Sequence, residues 1–293
     1  MSVISNTWVR TSLLVAAAGL MVPTMAEAAN YYLHANLTTA TFDQKDVWFD
    51  DPVAGNTMLD NGDAFAGHNF YSNGFQVRSG TSNFTLGDST TTLYTNSKLL
   101  VRAGPANKIT IPNLVREGPS QIAAGSGDVA LVVGNLVNDA QTSITGDGTT
   151  GRKLSLTVTT LSGAANISLT QRVTLNLSVS DASGFTGTIT WGDDSEAVLN
   201  FDSPLNSSGS LIAPANARIL LDQDVSFTYV KLGDDVLAPG TYQYETLKAT
   251  YDLMFQDIAD SGQWGSITVV PEPAGLMVLA SGPVLALRRR RMP

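Results

Sequence analysis

Three pairs of adjacent carboxylates stand out in a chain poor in other reactive groups: Asp50-Asp51, Asp193-Asp194 and Asp234-Asp235. Two carboxyl groups held about 5 to 9.5 Å apart are the working parts of glycoside hydrolases, and clustered acids also hold calcium. Neighbours along a strand point to opposite faces, however, so an adjacent pair is not in itself a catalytic dyad. Each pair sits beside Gly or Pro, in turn-like text where Asp is favoured because its carboxylate bonds the local backbone. Turn formation is the expected role. The only histidines are His34 and His68, and there is no cysteine. Thiolate metal sites, disulfides and cysteine nucleophiles are thereby excluded, and neither histidine lies at a metal-ligand or triad spacing. No catalytic residue, metal site or cofactor is assigned, calcium being the one ion the acids could serve. Trp48, Phe49, Phe70 and Tyr71 offer aromatic surface against which a sugar could stack. Packing inside an N-terminal cap is the competing role for these four.

The elements that must position these residues read as strands. From residue 29 to about 268 the text consists of short β-branched and leucine-rich runs separated by Gly, Asn, Asp and Ser. Leu154-Ser155-Leu156-Thr157-Val158 and Val173-Thr174-Leu175-Asn176-Leu177 alternate with the period of two expected of half-buried strands. Equivalent apolar positions fall at Ile109, Leu131, Leu154, Leu175, Val198 and Ile219, about 21 to 23 residues apart. A repeat of that length, holding several short strands and turns, predicts a solenoid whose stacked coils share one core. The expected fold is all-β, a right-handed parallel β-helix. A β-sandwich with two strands per 22 or so residues would mimic the spacing and stands as the alternative. Open coil ends expose apolar surface and unpaired strand edges, so caps are expected. Residues 30–83, rich in aromatics, read as first coils plus an N-terminal cap, and residues 242–265, with Tyr242, Tyr244, Tyr251, Phe255 and Trp264, as the C-terminal cap.

Charge and the two ends set the compartment. The chain carries 17 basic and 26 acidic side chains, net −9, which argues against nucleic acid or an anionic lipid surface as partner. Arg10, an apolar stretch over residues 13–22 and the small-residue site Ala26-Glu27-Ala28 have the order of a secretory signal peptide, with cleavage expected after Ala28. At the other end the apolar run 274–287 would be about 21 Å long as a helix, against roughly 30 Å of hydrocarbon. Gly282-Pro283 interrupts it, so it is a poor permanent transmembrane helix. Arg288, Arg289, Arg290 and Arg291 would stay on the cytoplasmic side and leave Pro271-Glu272-Pro273 on the exported side. Loss of the leader together with Arg288 to Arg291 takes the body from −9 to −13, because Arg10 and Glu27 cancel and four arginines go.

Val270-Pro271-Glu272-Pro273-Ala274, the short apolar run and the arginine cluster resemble the PEP-CTERM sorting signal of Gram-negative bacteria. The resemblance covers the last 24 or so residues. It implies recognition by an exosortase, a membrane-embedded cysteine transpeptidase-like enzyme of organisms that make exopolysaccharide and grow in biofilms. Partners would then be the secretion machinery, the exosortase and exopolysaccharide, with transient inner-membrane association and a final place at the cell surface or outside the cell. Residues 161–201 and 217–242 are similar to autotransporter-type, pectin-lyase-like repeats. There a phrase such as SGFTGTIT (183–190) marks a coil and one such as LGDDVLAPGTY (232–242) closes the helix.

The expected layout is a signal peptide over 1–28, an N-terminal cap and first coils over 29–105, the solenoid body with its C-terminal cap over 106–268, and the sorting signal over 269–293. The expected function is a non-enzymatic surface or matrix protein. A polysaccharide lyase or hydrolase is the alternative. Lyases on such a fold combine calcium-binding acids with an Arg or Lys on adjacent coils. Here Arg152, Lys153, Arg172, Arg218 and Lys231 are scattered, and no spacing places Arg172 or Arg218 beside an acid cluster. The phrase TGDGTTG (145–151) lacks the repeated pattern of calcium-binding β-rolls and reads as a loop.

Overall fold

A computed structural model describes residues 28–61, 63–104, 106–125, 127–146, 152–192, 197–255 and 265–271. Strands make up 52 % and helix 6 % of the described residues, so backbone pairing between strands builds the molecule. Through the body of the stack, strands consecutive in the chain alternate between two long sheets and pair with the strands one coil earlier and one coil later, and in the last coils Leu205–Asn206, Val225–Phe227, Ser266–Val269 and Gly240–Gln243 form a third sheet. The first sheet runs Asn30–Leu33, Asn69–Tyr71, Thr90–Leu93, Ile109–Arg116, Val129–Asn138, Arg152–Gly163, Val173–Phe185, Val198–Phe201 and Arg218–Leu221. The second runs Gln76–Arg78, Lys98–Val101, Ser120–Ala124, Thr142–Thr145, Ile167–Thr170, Thr188–Trp191, Ser210–Ala213 and Tyr229–Leu232. These neighbours are all parallel, which gives a parallel β-solenoid of about seven turns. In the sandwich alternative, neighbouring strands would be largely antiparallel, and the parallel stacking removes it.

The core is a set of vertical ladders in which one residue type follows another up the axis. In the second sheet Val77, Leu99, Ile122, Ile144, Leu169 and Trp191 are in register and buried. In the first sheet the register departs from the sequence reading. Ile109 pairs with Leu131 and Leu154 with Leu175, as the spacing implies, but Leu131 pairs with Leu156. Leu175 pairs with Leu199, while Val198 lies opposite Thr174 and Arg218. The inward ladders are Ile109–Leu131–Leu156–Leu177–Phe201–Leu221 and Val129–Leu154–Leu175–Leu199–Ile219. Coils differ in length, so a fixed period drifts against the true pairing by one or two residues. The strands keep the alternation that a one-residue slip would invert.

Corners carry the local strain. Arg116 and Asn138 end successive strands of the first sheet and face each other in register. In the next coil Gly163 adopts φ +103°, and a Cβ there would come within 2.4 Å of the Asn138 carbonyl oxygen. Only glycine fits both the left-handed backbone and that approach.

Antiparallel pairing appears only near the ends of the stack among the described strands. Trp48–Phe49 lies against Asn30–Leu33, Asp235–Val236 against Tyr229–Leu232, and Gly240–Gln243 against Ser266–Val269. At the N-terminal end the buried Phe70 ring meets Trp48 edge-on at 4.9 Å and stacks with Tyr31 at 6.0 Å. At the other end the helix Tyr244–Thr250 buries Tyr244 and Leu247, with Phe255 packed edge-on to Tyr244 at 6.4 Å.

Candidate functional site

The alternation that sends Val77, Leu99, Ile122 and Ile144 inward turns their predecessors Gln76, Lys98, Gln121 and Ser143 outward. Those four are in register on consecutive coils and form the floor of a groove of about 540 Å³ on the flank of the second sheet. One wall is the segment holding Asn36 and Thr38. It is pinned to the floor: the Gln76 amide N–H donates to Asn36 Oδ1 at 2.6 Å, and Gln76 Nε2 donates to the Leu37 carbonyl at 2.8 Å. The opposite wall is the coil corner, where Asn96, Pro119, Ser120 and Gln141 stack; the Asn96 N–H donates to the Pro119 carbonyl at 2.8 Å. The groove is therefore built of amides, hydroxyls and one ammonium group.

Arg116 lies behind that corner wall with no exposed surface. Its Nε donates to Ser120 Oγ at 2.8 Å, and Nη2 donates to the same oxygen and to the Gln141 carbonyl at 3.4 Å. Nη1 is buried without a partner. Burial pulls the guanidinium pKa down to about 9. At the same corner of the next coil Asn138 is fully satisfied: Nδ2 donates to the Ala165 carbonyl at 2.7 Å, and Oδ1 accepts from the Thr142 hydroxyl.

The four aromatics expected to form one platform are divided by strand alternation. Trp48 and Phe70 are completely buried, the Trp48 Nε1–H donating to the Phe42 carbonyl at 2.8 Å, and they belong to the core. Phe49 and Tyr71 face outward, where they join residues the sequence reading did not include. Tyr32, Tyr71 and Tyr94 stack nearly parallel with centroids 4.9 and 5.9 Å apart, and His34 stacks on Phe49 at 3.9 Å. The coil period was the available signal, since Tyr71 and Tyr94 are one repeat apart.

The two histidines serve separate local roles. His34 Nε2 is 2.7 Å from the Asp51 carbonyl, and His68 Nδ1 accepts the Ala29 N–H at 3.0 Å. Asp51 Oδ1 accepts the Val53 and Ala54 amides at 2.8 Å, and these bonds, that of Ala54 foremost, hold its carboxyl below the usual range. Asp50 accepts the Asn56 amide at 2.9 Å, and Asp235 accepts the Tyr251 hydroxyl at 3.2 Å. These acids serve turns and caps. Asp193-Asp194 lies outside the described residues. Among the described residues no three His, Asp or Glu side chains converge as a metal site would need.

Pro271 and Ala28 are exposed. Ala26, Glu272, Pro273, the run 274–287 and Arg288, Arg289, Arg290 and Arg291 lie outside the described residues. Among the described residues no helix is long and apolar enough to cross a membrane. Fold and groove together define a β-solenoid with a polar flank. Comparison with family models, curated proteins and solved structures gave no match.

Proposed function

We propose that this chain is an exported, non-enzymatic surface or matrix protein that holds an extended polysaccharide along its second sheet. The observation that carries the reading is the in-register ladder Gln76–Lys98–Gln121–Ser143 on the groove floor. Its rungs recur at the strand spacing of roughly 4.8 Å, close to the advance of one sugar unit in an extended chain. Each rung presents a polar group able to meet successive sugar hydroxyls. Many weak bonds to a preformed surface suit retention of a polymer, because the solenoid has no ordering cost left to meet on binding.

In this reading the leader directs export, and an exosortase recognises Pro271, Glu272 and Pro273 while the apolar run and arginines hold the chain briefly at the inner membrane. The deciding experiment presents the purified chain to immobilised polysaccharides with and without calcium and analyses the eluate for cleaved product. Retention with intact polymer is expected. Shortened polymer would establish a lyase or hydrolase instead, and no retention on any polysaccharide would overturn the reading. Substituting alanine for Pro271, Glu272 and Pro273 together is expected to stop C-terminal processing, seen as unchanged mass of the exported protein.

A further inference from the structure

The groove is an exception to the charge of its own molecule. The chain is net −9, yet the residues lining the groove include no carboxylate, and Lys98 stands at the centre of the floor. Behind the wall is a second cation. Both oxygens that Arg116 donates to belong to lining residues, Ser120 and Gln141, so the guanidinium sits one residue layer beneath the surface. Burial is the sole cause of its lowered pKa, with no carboxylate contributing, and Nη1 has no partner. Glu117, the adjacent acid, is exposed and turned toward Tyr94, whose hydroxyl pKa is raised by burial and then by the Glu117 charge. A value near 9 leaves Arg116 charged at neutral pH. Burying such a cation without a counter-ion is costly in a folded chain, and an unsatisfied buried donor of this kind asks for an explanation beyond packing.

The geometry points to an anionic glycan as the groove's ligand. A sulfate or carboxylate on the polymer meets the Lys98 ammonium directly. Arg116 adds positive potential through the thin wall, in surroundings that water screens poorly. A neutral sugar chain gains only the amide and hydroxyl contacts. The inference rests on the polysaccharide reading and names the class of polymer that site prefers.

Dextran, dextran sulfate and carboxymethyl-dextran share one backbone and differ in charge, so they separate the two ideas. The full chain is titrated with each at low salt, and the measured quantity is the ratio of anionic to neutral affinity. A net-negative protein repels polyanions at long range, so a preference for them reports a local site. At least one anionic form is expected to bind tenfold or more tighter than dextran, the stronger one identifying the anion, with the ratio falling as salt rises. Lys98→Gln and Arg116→Met are each expected to lower that ratio severalfold, whereas Lys153→Gln, an exposed lysine on the first sheet, leaves it unchanged. A purely structural defect at Arg116 would weaken charged and neutral polymers alike and leave the ratio intact. Lys98→Gln changes an outward side chain and keeps the test valid if Arg116→Met fails to fold. Equal binding of all three dextrans would overturn the anion preference and spare the polysaccharide reading. Binding of none of them, nor of the wider set above, would sink that reading itself. A ratio unmoved by both substitutions, or lowered equally by Lys153→Gln, would also overturn the site.

Discussion

Arg116 and Asn138 occupy the same corner of consecutive coils and solve the burial of a polar side chain in opposite ways. Asn138 satisfies both ends of its amide, so Asn138→Ala removes the partner of the Ala165 carbonyl and leaves the Thr142 hydroxyl only a long bond, 3.5 Å, to the Ala140 carbonyl. A loss of about 1–3 kcal/mol is expected in denaturant unfolding, and an unchanged midpoint would show that the corner repacks. Arg116 should instead reveal itself through pH. Its folded value, about 9, lies well below the ordinary guanidinium range, so between the two the unfolded chain binds more protons and stability rises with pH through this group. The penalty is complete below about 9 and is relieved as pH rises above it. Tyr31, Tyr71, Tyr94 and Tyr251 oppose this above pH 10, because burial raises their pKa values and the folded chain keeps those protons longer. Subtracting the stability of Arg116→Met at each pH cancels the tyrosines. The difference should then move in favour of wild type by about 1–2 kcal/mol between pH 8 and 10.5, and a flat difference would refute the assignment. Nothing in the text Asn113-Leu114-Val115-Arg116 announces a buried charge, since a basic residue ending a strand ordinarily faces water. The division of Trp48 and Phe70 from Phe49 and Tyr71 was legible, by contrast, because alternation along the strand dictates it.

Strand identity came through at the scale of the element, and strand pairing came through in part. The alternating runs became strands such as Arg152–Gly163 and Val173–Phe185. The fixed spacing placed Val198 on the inner ladder where Leu199 belongs, because corners of unequal length shift the phase between coils and between Thr160 and Ser162 the register itself shifts. Packing energies should report the true phase. Leu199 is fully buried among core residues, and Leu199→Ala is expected to cost about 2–5 kcal/mol. Val198 lies outside that cluster, and Val198→Ala should cost well under half as much. Equal losses would return Val198 to the ladder. The groove floor obeys the same period, with Gln76, Lys98 and Gln121 one coil apart, but polar residues on an outward face carry no burial signal that sets them apart from ordinary solvated positions. Its Asn36 wall could not be read at all, since that segment reaches Gln76 across about forty positions of chain.

For the whole molecule the repeat length was decisive: stacking coils was the way to bury so many short apolar runs that cannot each form a core. A stack also has two ends, and the end strands are where an unpaired edge would recruit another chain. At the C-terminal end Gly240–Gln243 pairs antiparallel with Ser266–Val269, which itself pairs with Val225–Phe227. A chain stopped after Pro239 loses both strands and the helix that buries Tyr244 and Leu247. It is expected to self-associate in light scattering, and a stable monomer would mean that the edge is guarded by other means. The uneven corners carry a different consequence. Because length changes fall in the corners while floor residues stay in register, a coil behaves as an exchangeable cassette. Duplicating one would add a rung of roughly 4.8 Å to the flank without redesigning either neighbour. If the proposed polysaccharide binding holds, a series of such molecules would act as rulers, each gauging how long a stretch of polymer it can grip.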